Sequence, residues 1–175
     1  MDLSLFTIIN GVSGRLPLLD AAGIFFAVYA IFLLLALIVW KGWKRHELIM
    51  IGLFSMSVSY LSNACLGLIH FRARPFMTHE VHQLISGVWT TKSFPSDHSA
   101  LAFAMATSLF LFDHKLGIGA LVVAFFIAIS RVFVGVHYPS DILVGSLIGI
   151  FWSIFFYHKM TGYRATLKNK FDSKQ

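Results

Sequence analysis

Three short polar stretches of this chain carry residue types suited to phosphate chemistry. Arg74-Pro75 offers a guanidinium at a helix end set by the proline. The guanidinium fork matches the spacing of phosphate oxygens. Pro95-Ser96-Asp97-His98 reads as a helix start capped by Ser96 or Asp97. A helix start presents free N–H groups and the positive end of the helix dipole, which together form an anion site. Ser96 adds a hydroxyl donor, and His98, in the first turn, can face the same anion as a general acid. Ser130-Arg131 supplies a second guanidinium, and His137 stands four residues before Asp141. A helix or turn starting near Pro139 brings that pair together. A carboxylate on one imidazole nitrogen fixes the tautomer and sharpens the other nitrogen as a nucleophile. Taken together these are an anion cradle, an attacking group and an acid, which is what phosphoryl transfer requires.

The elements that must position these groups are apolar. Ala21–Trp40 is 20 residues without a charge, and Leu48–Ile69 is 22. Each is long enough to cross a bilayer as a helix. Ser55, Ser57, Ser59, Ser62 and Asn63 on the second run suit helix–helix packing. Ser99–Phe112, Leu116–Ser130 and Ile142–Tyr157 are shorter, at 14, 15 and 16 residues. Each is cut short at one end by His98, Arg131 or Asp141. The runs reach spanning length if those residues form the tips of their own helices. The expected fold is therefore an all-α integral membrane bundle of about five spans, 21–40, 47–70, 97–112, 116–134 and 139–158, in a single domain over 1–175. A short interfacial helix precedes it within residues 1–19. Asp113-His114-Lys115 is the turn between the third and fourth spans, and Gly145 with Gly149 gives a small-residue face for close packing. The polar connection 70–97 has room for a short interfacial helix around Glu80–Leu84.

Composition agrees. Apolar residues make up 57 % and charged residues 13 %, with a mean hydropathy of +0.76. The net charge of +6 is spread in short clusters between apolar runs, which fits membrane topology rather than nucleic acid. Lys41, Lys44, Arg45, Lys115, Lys159, Arg164, Lys168, Lys170 and Lys174 flank one side of the spans; Arg15, Arg72, Arg74, Lys92 and Arg131 flank the other. The richer side is expected in the cytoplasm, which puts the N-terminus and the phosphate-type residues outside and the C-terminus inside. No signal-peptide pattern precedes the first run. Cys65, within the second run, reads as a buried small hydrophobe.

The segments Arg74-Pro75, Pro95-Ser96-Asp97-His98 and Ser130-Arg131-x5-His137-x3-Asp141 resemble the three-part signature of the type 2 phosphatidic acid phosphatase superfamily. Asp97 stands where many members have Gly. Gly67 stands where the family pattern has a Lys, with Arg72 or Lys92 as the candidate replacement for that contact. Over roughly residues 20–158 the resemblance implies His137 as nucleophile through a phosphohistidine, Asp141 as its partner and His98 as acid to the leaving group. It implies Arg74, Ser96, Arg131 and the Asp97 amide as phosphate ligands. The five-span size and the Phe71–Phe76 and Ser93–His98 wording look most like the bacitracin-resistance type of undecaprenyl-diphosphate phosphatase. That implies a polyprenyl diphosphate lipid as substrate, recycled for cell-wall synthesis on the outer face of the plasma membrane.

The chemistry calls for no metal or other cofactor. His79, Glu80 and His82 lack a further ligand for zinc and are expected to line the mouth of the site or lie at the interface with Trp89. Two other readings fit parts of the pattern. One is a phosphatase of glycerolipids such as phosphatidic acid or phosphatidylglycerophosphate. The other is a transporter with an intramembrane His/Asp/Arg relay, against which stand the clustering of charge at one face and the lack of an inverted repeat.

Overall fold

The computed structural model describes residues 1–87 and 91–172, without the side chains of 164–172. Trp89, expected at the interface, and Lys174, counted with the cytoplasmic bases, lie outside the described residues. The described chain is helical, and its one β-type contact is an isolated antiparallel bridge between Ala73 and Lys92. In order the helices are α1 (Asp2–Asn10), α2 (Pro17–Gly42), α3 (His46–Ile69), α4 (Pro75–Thr78), α5 (Asp97–Phe112), α6 (His114–Phe133) and α7 (Pro139–Asp172). Helices α2, α3, α6 and the 139–163 part of α7 are long and apolar enough to cross a membrane; α5 is a shorter apolar helix.

Apolar side chains cover the outside of the bundle. Phe32, Leu68, Leu143 and Phe151 are all more than half exposed, as expected of a surface whose solvent is lipid. The inside is built around α5. Ala100, Ala102, Ala104, Met105, Ala106 and Leu109 are buried between α2, α3, α6 and α7. The alanines let neighbouring helices come close. A Cβ at Gly145 would stand 2.4 Å from the Ser96 carbonyl oxygen, and one at Gly149 would stand 2.2 Å from that of Ala100. The two glycines thus form the expected close-packing face.

The tips of α6 and α7 follow the sequence reading: α6 runs through Arg131 and α7 starts before Asp141. Helix α5 has the expected bounds, with His98 in its first turn, but stays short of spanning length. It begins at Asp97 and has 16 residues, about 24 Å at 1.5 Å per residue. Neighbouring helices leave none of its residues exposed, so it need not match the bilayer by itself. Three further readings are corrected. Helix α2 begins at Pro17, earlier than expected, because proline is favoured in a first helical turn. The connection after α3 is helical at Pro75–Thr78, and Glu80–Leu84 is irregular. Cys65 is exposed on the outer face of α3 rather than buried.

The ends of the bundle are distinct. Lys41 Nζ at the end of α2 pairs with Asp113 Oδ2 at 2.8 Å, which joins the α2–α3 and α5–α6 turns at one end. Asp113 also caps α6 by accepting from the Leu116 amide. The 70–97 connection, the α6–α7 turn and α1 gather at the other end. There Asn10, buried, donates to the carbonyls of His82 and Phe133 and accepts from the His82 amide.

Candidate active site

The site lies at that second end, where three helix tips meet one loop. The start of α5 is fixed by Ser96, whose hydroxyl caps the helix by accepting from the Ser99 amide. The Ser96 amide donates to the Asp141 carbonyl at 3.0 Å, which locks the starts of α5 and α7 together. Helix α6 ends at Phe133 and the chain turns through Gly135, whose φ of +85° favours glycine. The turn is tight enough that the amides of Val136 and His137 both donate to the Arg131 carbonyl. Arg131 and His137 are thereby held on one face.

His137, in the loop between α6 and α7, is 3 % exposed. Its Nε2 lies 3.2 Å from Arg74 Nη1. A guanidinium can only donate, so Nε2 accepts and the imidazole proton is on Nδ1. Nδ1 faces Asp141 Oδ2 at 3.6 Å, a charge contact too long for a hydrogen bond. Burial pushes the imidazole pKa down, Asp141 pulls it back, and Arg131 and Arg74 push it down again, to about 4. The ring is therefore neutral at physiological pH, with its free lone pair on the nitrogen that faces Arg74.

The other groups converge on it. Arg74 also donates to the Val136 carbonyl at 2.9 Å. Arg131 donates to the carbonyl of Ala27 at 2.7 Å, within a widened π-turn of α2 at Phe25–Tyr29. Its buried Nε has no hydrogen-bond partner among the described residues, and such a donor carries a cost that an anion's oxygen would remove. His98 stands within electrostatic reach of Arg131, His137 and Arg74. Asp97 accepts from Asn63 Nδ2 at 2.9 Å. The chain therefore brings Arg74, Ser96, Asp97, His98, Arg131, His137 and Asp141 to one cluster.

The two accessory candidates go to different places. Lys92 lies across Gly67: a Cβ at residue 67 would stand 2.3 Å from Lys92 Cδ and 3.0 Å from its Nζ. That ammonium donates to the Asn63 carbonyl at 3.2 Å and stands 3.9 Å from Asp97 Oδ1. Arg72 is engaged elsewhere, by Asp2, Ser140 and Asp141. His79 and His82 do not face a shared centre. His79 contacts the Thr78 and Tyr138 hydroxyls, while the His82 backbone is held by Asn10. Among the described residues no three His, Cys, Asp or Glu side chains gather as a metal site would need.

Sequence reasoning missed four residues here. Asn63, buried in α3, holds both Asp97 and Lys92; a lone Asn in an apolar run was its signal. Ser93 donates to Asp141 Oδ2. Asn10 and Asp2 come from the N-terminal stretch, which was expected only as a short interfacial helix.

Residues 48–164 match the PAP2 superfamily. The chain belongs to that superfamily. It is a membrane-embedded hydrolase of a phosphate ester or anhydride. Among similar proteins, the "Undecaprenyl-diphosphatase BcrC" of Bacillus subtilis is 33 % identical over 156 residues, covering 85 % of this chain and 78 % of that protein. The "Bacitracin transport permease protein BcrC" of Bacillus licheniformis is 32 % identical over 160 residues, covering 89 % and 78 %. The crystal structure of Aquifex aeolicus LpxE superposes with a TM-score of 0.76 at 31 % identity, covering 89 % of this chain and 94 % of that one.

Proposed function

We propose that this chain hydrolyses undecaprenyl diphosphate to undecaprenyl phosphate and inorganic phosphate, as one membrane-embedded phosphatase domain over 1–175. The observation that carries the reaction type is the approach of Arg74 to Nε2 of a buried, neutral His137. The group that would hold an incoming phosphate already touches the nitrogen that would attack it.

In this reading Arg74, Arg131, the Ser96 hydroxyl and the amides at the start of α5 hold the terminal phosphate. His137 Nε2 attacks phosphorus, and the bond to the bridging oxygen breaks. His98, which takes up a proton once the anionic diphosphate offsets the arginines beside it, protonates that oxygen, and undecaprenyl phosphate leaves. Water then attacks the phosphohistidine, gives its proton to His98 and releases inorganic phosphate. Asp141 compensates the charge that His137 acquires. Lys92, seated over Gly67, supplies a further cation beside Asp97, and two phosphates need more positive charge than one.

A lipid substrate is supported by two apolar grooves on the lipid-facing surface. One, of about 260 Å³, runs between α2 and α6 as far as Ser130, and another, of about 430 Å³, lies between α6 and α7 at Pro139. The names of the relatives support the polyprenyl chain. The distribution of bases supports a site on the extracytoplasmic face of the plasma membrane, with the N-terminus outside and the C-terminus in the cytoplasm. Recycling of the cell-wall carrier and bacitracin resistance follow from that activity at that face.

The test is phosphate release by the purified protein in detergent from undecaprenyl diphosphate, phosphatidylglycerophosphate and phosphatidic acid, without added metal. Turnover is expected on the first. Release from the glycerolipids alone would overturn the substrate, and release from none of them would overturn the reaction.

A further inference from the structure

Arg72 lies two residues before Arg74, yet its surroundings are of a different kind. Its Nη1 donates to Asp141 Oδ1 at 3.0 Å and to Ser140 Oγ at 2.7 Å. Its Nη2 donates to Asp2 Oδ2 at 2.7 Å. The guanidinium carbon lies 3.7 Å from the centre of the Tyr138 ring, a close cation–π contact. Two carboxylates already neutralise it, and a phosphate approaching Arg72 would meet the negative field of both. Arg74 is different, since its guanidinium touches the imidazole.

Asp2 is as firmly tied. Its carboxylate accepts from the Ser140 amide at 2.9 Å, from Ser140 Oγ at 2.6 Å and from Arg72. The first of these places a negative charge at the N-terminus of α7, where the dipole favours it. Burial raises the Asp2 pKa, but the hydrogen bonds from Ser140 and Arg72 outweigh this and hold the carboxyl below its usual range. Phe6, one turn further along α1, packs its ring on Tyr138 with centroids 5.5 Å apart. Helix α1 is thus bound to the α7 start by charge and by packing.

Asp141 is fully buried. A buried carboxylate needs donors on both oxygens to stay charged and in place. Ser93 Oγ and the Tyr138 amide serve Oδ2, the oxygen facing His137. Arg72 serves Oδ1.

We propose that Arg72 is a positioning residue for Asp141, held in turn by Asp2 of α1, and that it is not a phosphate ligand. The inference rests on the reading of His137 and Asp141 as the attacking pair. It makes the N-terminal helix part of the catalytic apparatus through Arg72, while the polar contacts of the imidazole are with Arg74 and Asp141.

The test compares Arg72→Gln, Arg72→Lys, Asp2→Asn and Asp2→Asn/Arg72→Gln for kcat, KM and competitive inhibition by inorganic phosphate. Arg72→Gln is expected to lower kcat about 10–100-fold, as loss of a residue that orients a catalytic group does. KM and the phosphate inhibition constant should stay within about twofold, because no ground-state ligand is lost. Arg72→Lys keeps the charge without the fork and should recover part of kcat. Asp2→Asn, nearly isosteric, should lower kcat about fivefold through one weakened charged hydrogen bond. The double variant should be no slower than Arg72→Gln alone, since the two residues act in series. A weaker phosphate inhibition constant in Arg72→Gln would make Arg72 a ligand and overturn the proposal. Multiplying effects in the double variant would overturn the series. Should Arg72→Gln fail to fold, an unchanged kcat in Asp2→Asn still overturns it. Full activity of His137→Ala would instead sink the underlying reading, so the two failures are distinct.

Discussion

At the scale of single residues, the site depends on keeping a buried imidazole neutral next to two guanidinium groups. Burial and the two arginines accomplish this together. Replacing His137 with Ala is expected to remove turnover, by more than about 10³-fold, since nothing else stands where Nε2 does. His98→Ala should lower kcat by about 10²–10⁴-fold, the usual worth of a general acid. Both variants should keep the helical circular dichroism spectrum and the thermal unfolding profile of the parent; wild-type rates in His137→Ala would remove it as nucleophile. A second expectation concerns its titration. A pKa lowered to about 4 means the ring stays neutral on acidification through the ordinary histidine range and gains its proton only near pH 4. The His137 ring resonances, assigned by their loss in His137→Ala, should therefore show no shift between pH 7.5 and 5.5. A midpoint near pH 6.5 would contradict the burial and charge placement described above.

At the scale of elements, the contact between α5 and α7 matters most, because it holds the start of α5 against Asp141. Gly149 permits that contact. A leucine there would drive its Cβ into the Ala100 carbonyl. Overpacking costs about 1–3 kcal/mol where a core can adjust, and backbone cannot yield as a side chain can. Gly149→Leu should therefore lower the detergent Tm by several degrees and lower activity with it. Gly119 is the matched control: a Cβ there meets nothing within 4 Å. Gly119→Ala should leave Tm unchanged or raise it, as helix propensity favours Ala over Gly. A loss in Gly119→Ala equal to that in Gly149→Leu would show that the close approach to Ala100 does not set Gly149 apart. Helix α1 is held by Asp2, Phe6 and Asn10 rather than by any strong amphipathic pattern, so its place is decided by what it ties together.

At the scale of the whole molecule, the two ends carry different chemistry. One has Trp40 and Trp43, both exposed, beside Lys41, Lys44 and Arg45, a combination typical of a membrane interface. The other has the candidate catalytic cluster around His137. A single reactive cysteine reports which end faces outward. In a Cys65→Ser background, Glu80→Cys in intact cells should react with a membrane-impermeant maleimide, while a cysteine at Lys115 should react only after lysis. Glu80 is exposed on the connection at the site end, and Lys115 is exposed in the first turn of α6 at the opposite end, where the expected Asp113-His114-Lys115 turn is already helical from His114. The reverse pattern would invert the proposed orientation.

The helical bundle and the central residues of the candidate site could be read from the amino-acid sequence. Long apolar runs must form helices in lipid, because no other open structure satisfies the backbone there. Arg, His and Asp at the ends of those runs stand out because such groups are costly near a membrane. Arg74, His98, Arg131, His137 and Asp141 were legible for that reason, and Ser96 as the cap of a helix start. Their partners were not. Asp2 and Asn10 lie in a stretch without periodicity, and their roles exist only because α1 comes back to the starts of α7 and of the α6–α7 turn. Likewise the sequence left Arg72 and Lys92 as equal candidates for one contact. Only the tertiary structure separated them, because a missing Cβ at Gly67 admits the Lys92 stem, while Asp2 and Asp141 claim the guanidinium of Arg72. Local pattern fixes which residues are present at a helix end; which of them touch depends on how distant helices pack.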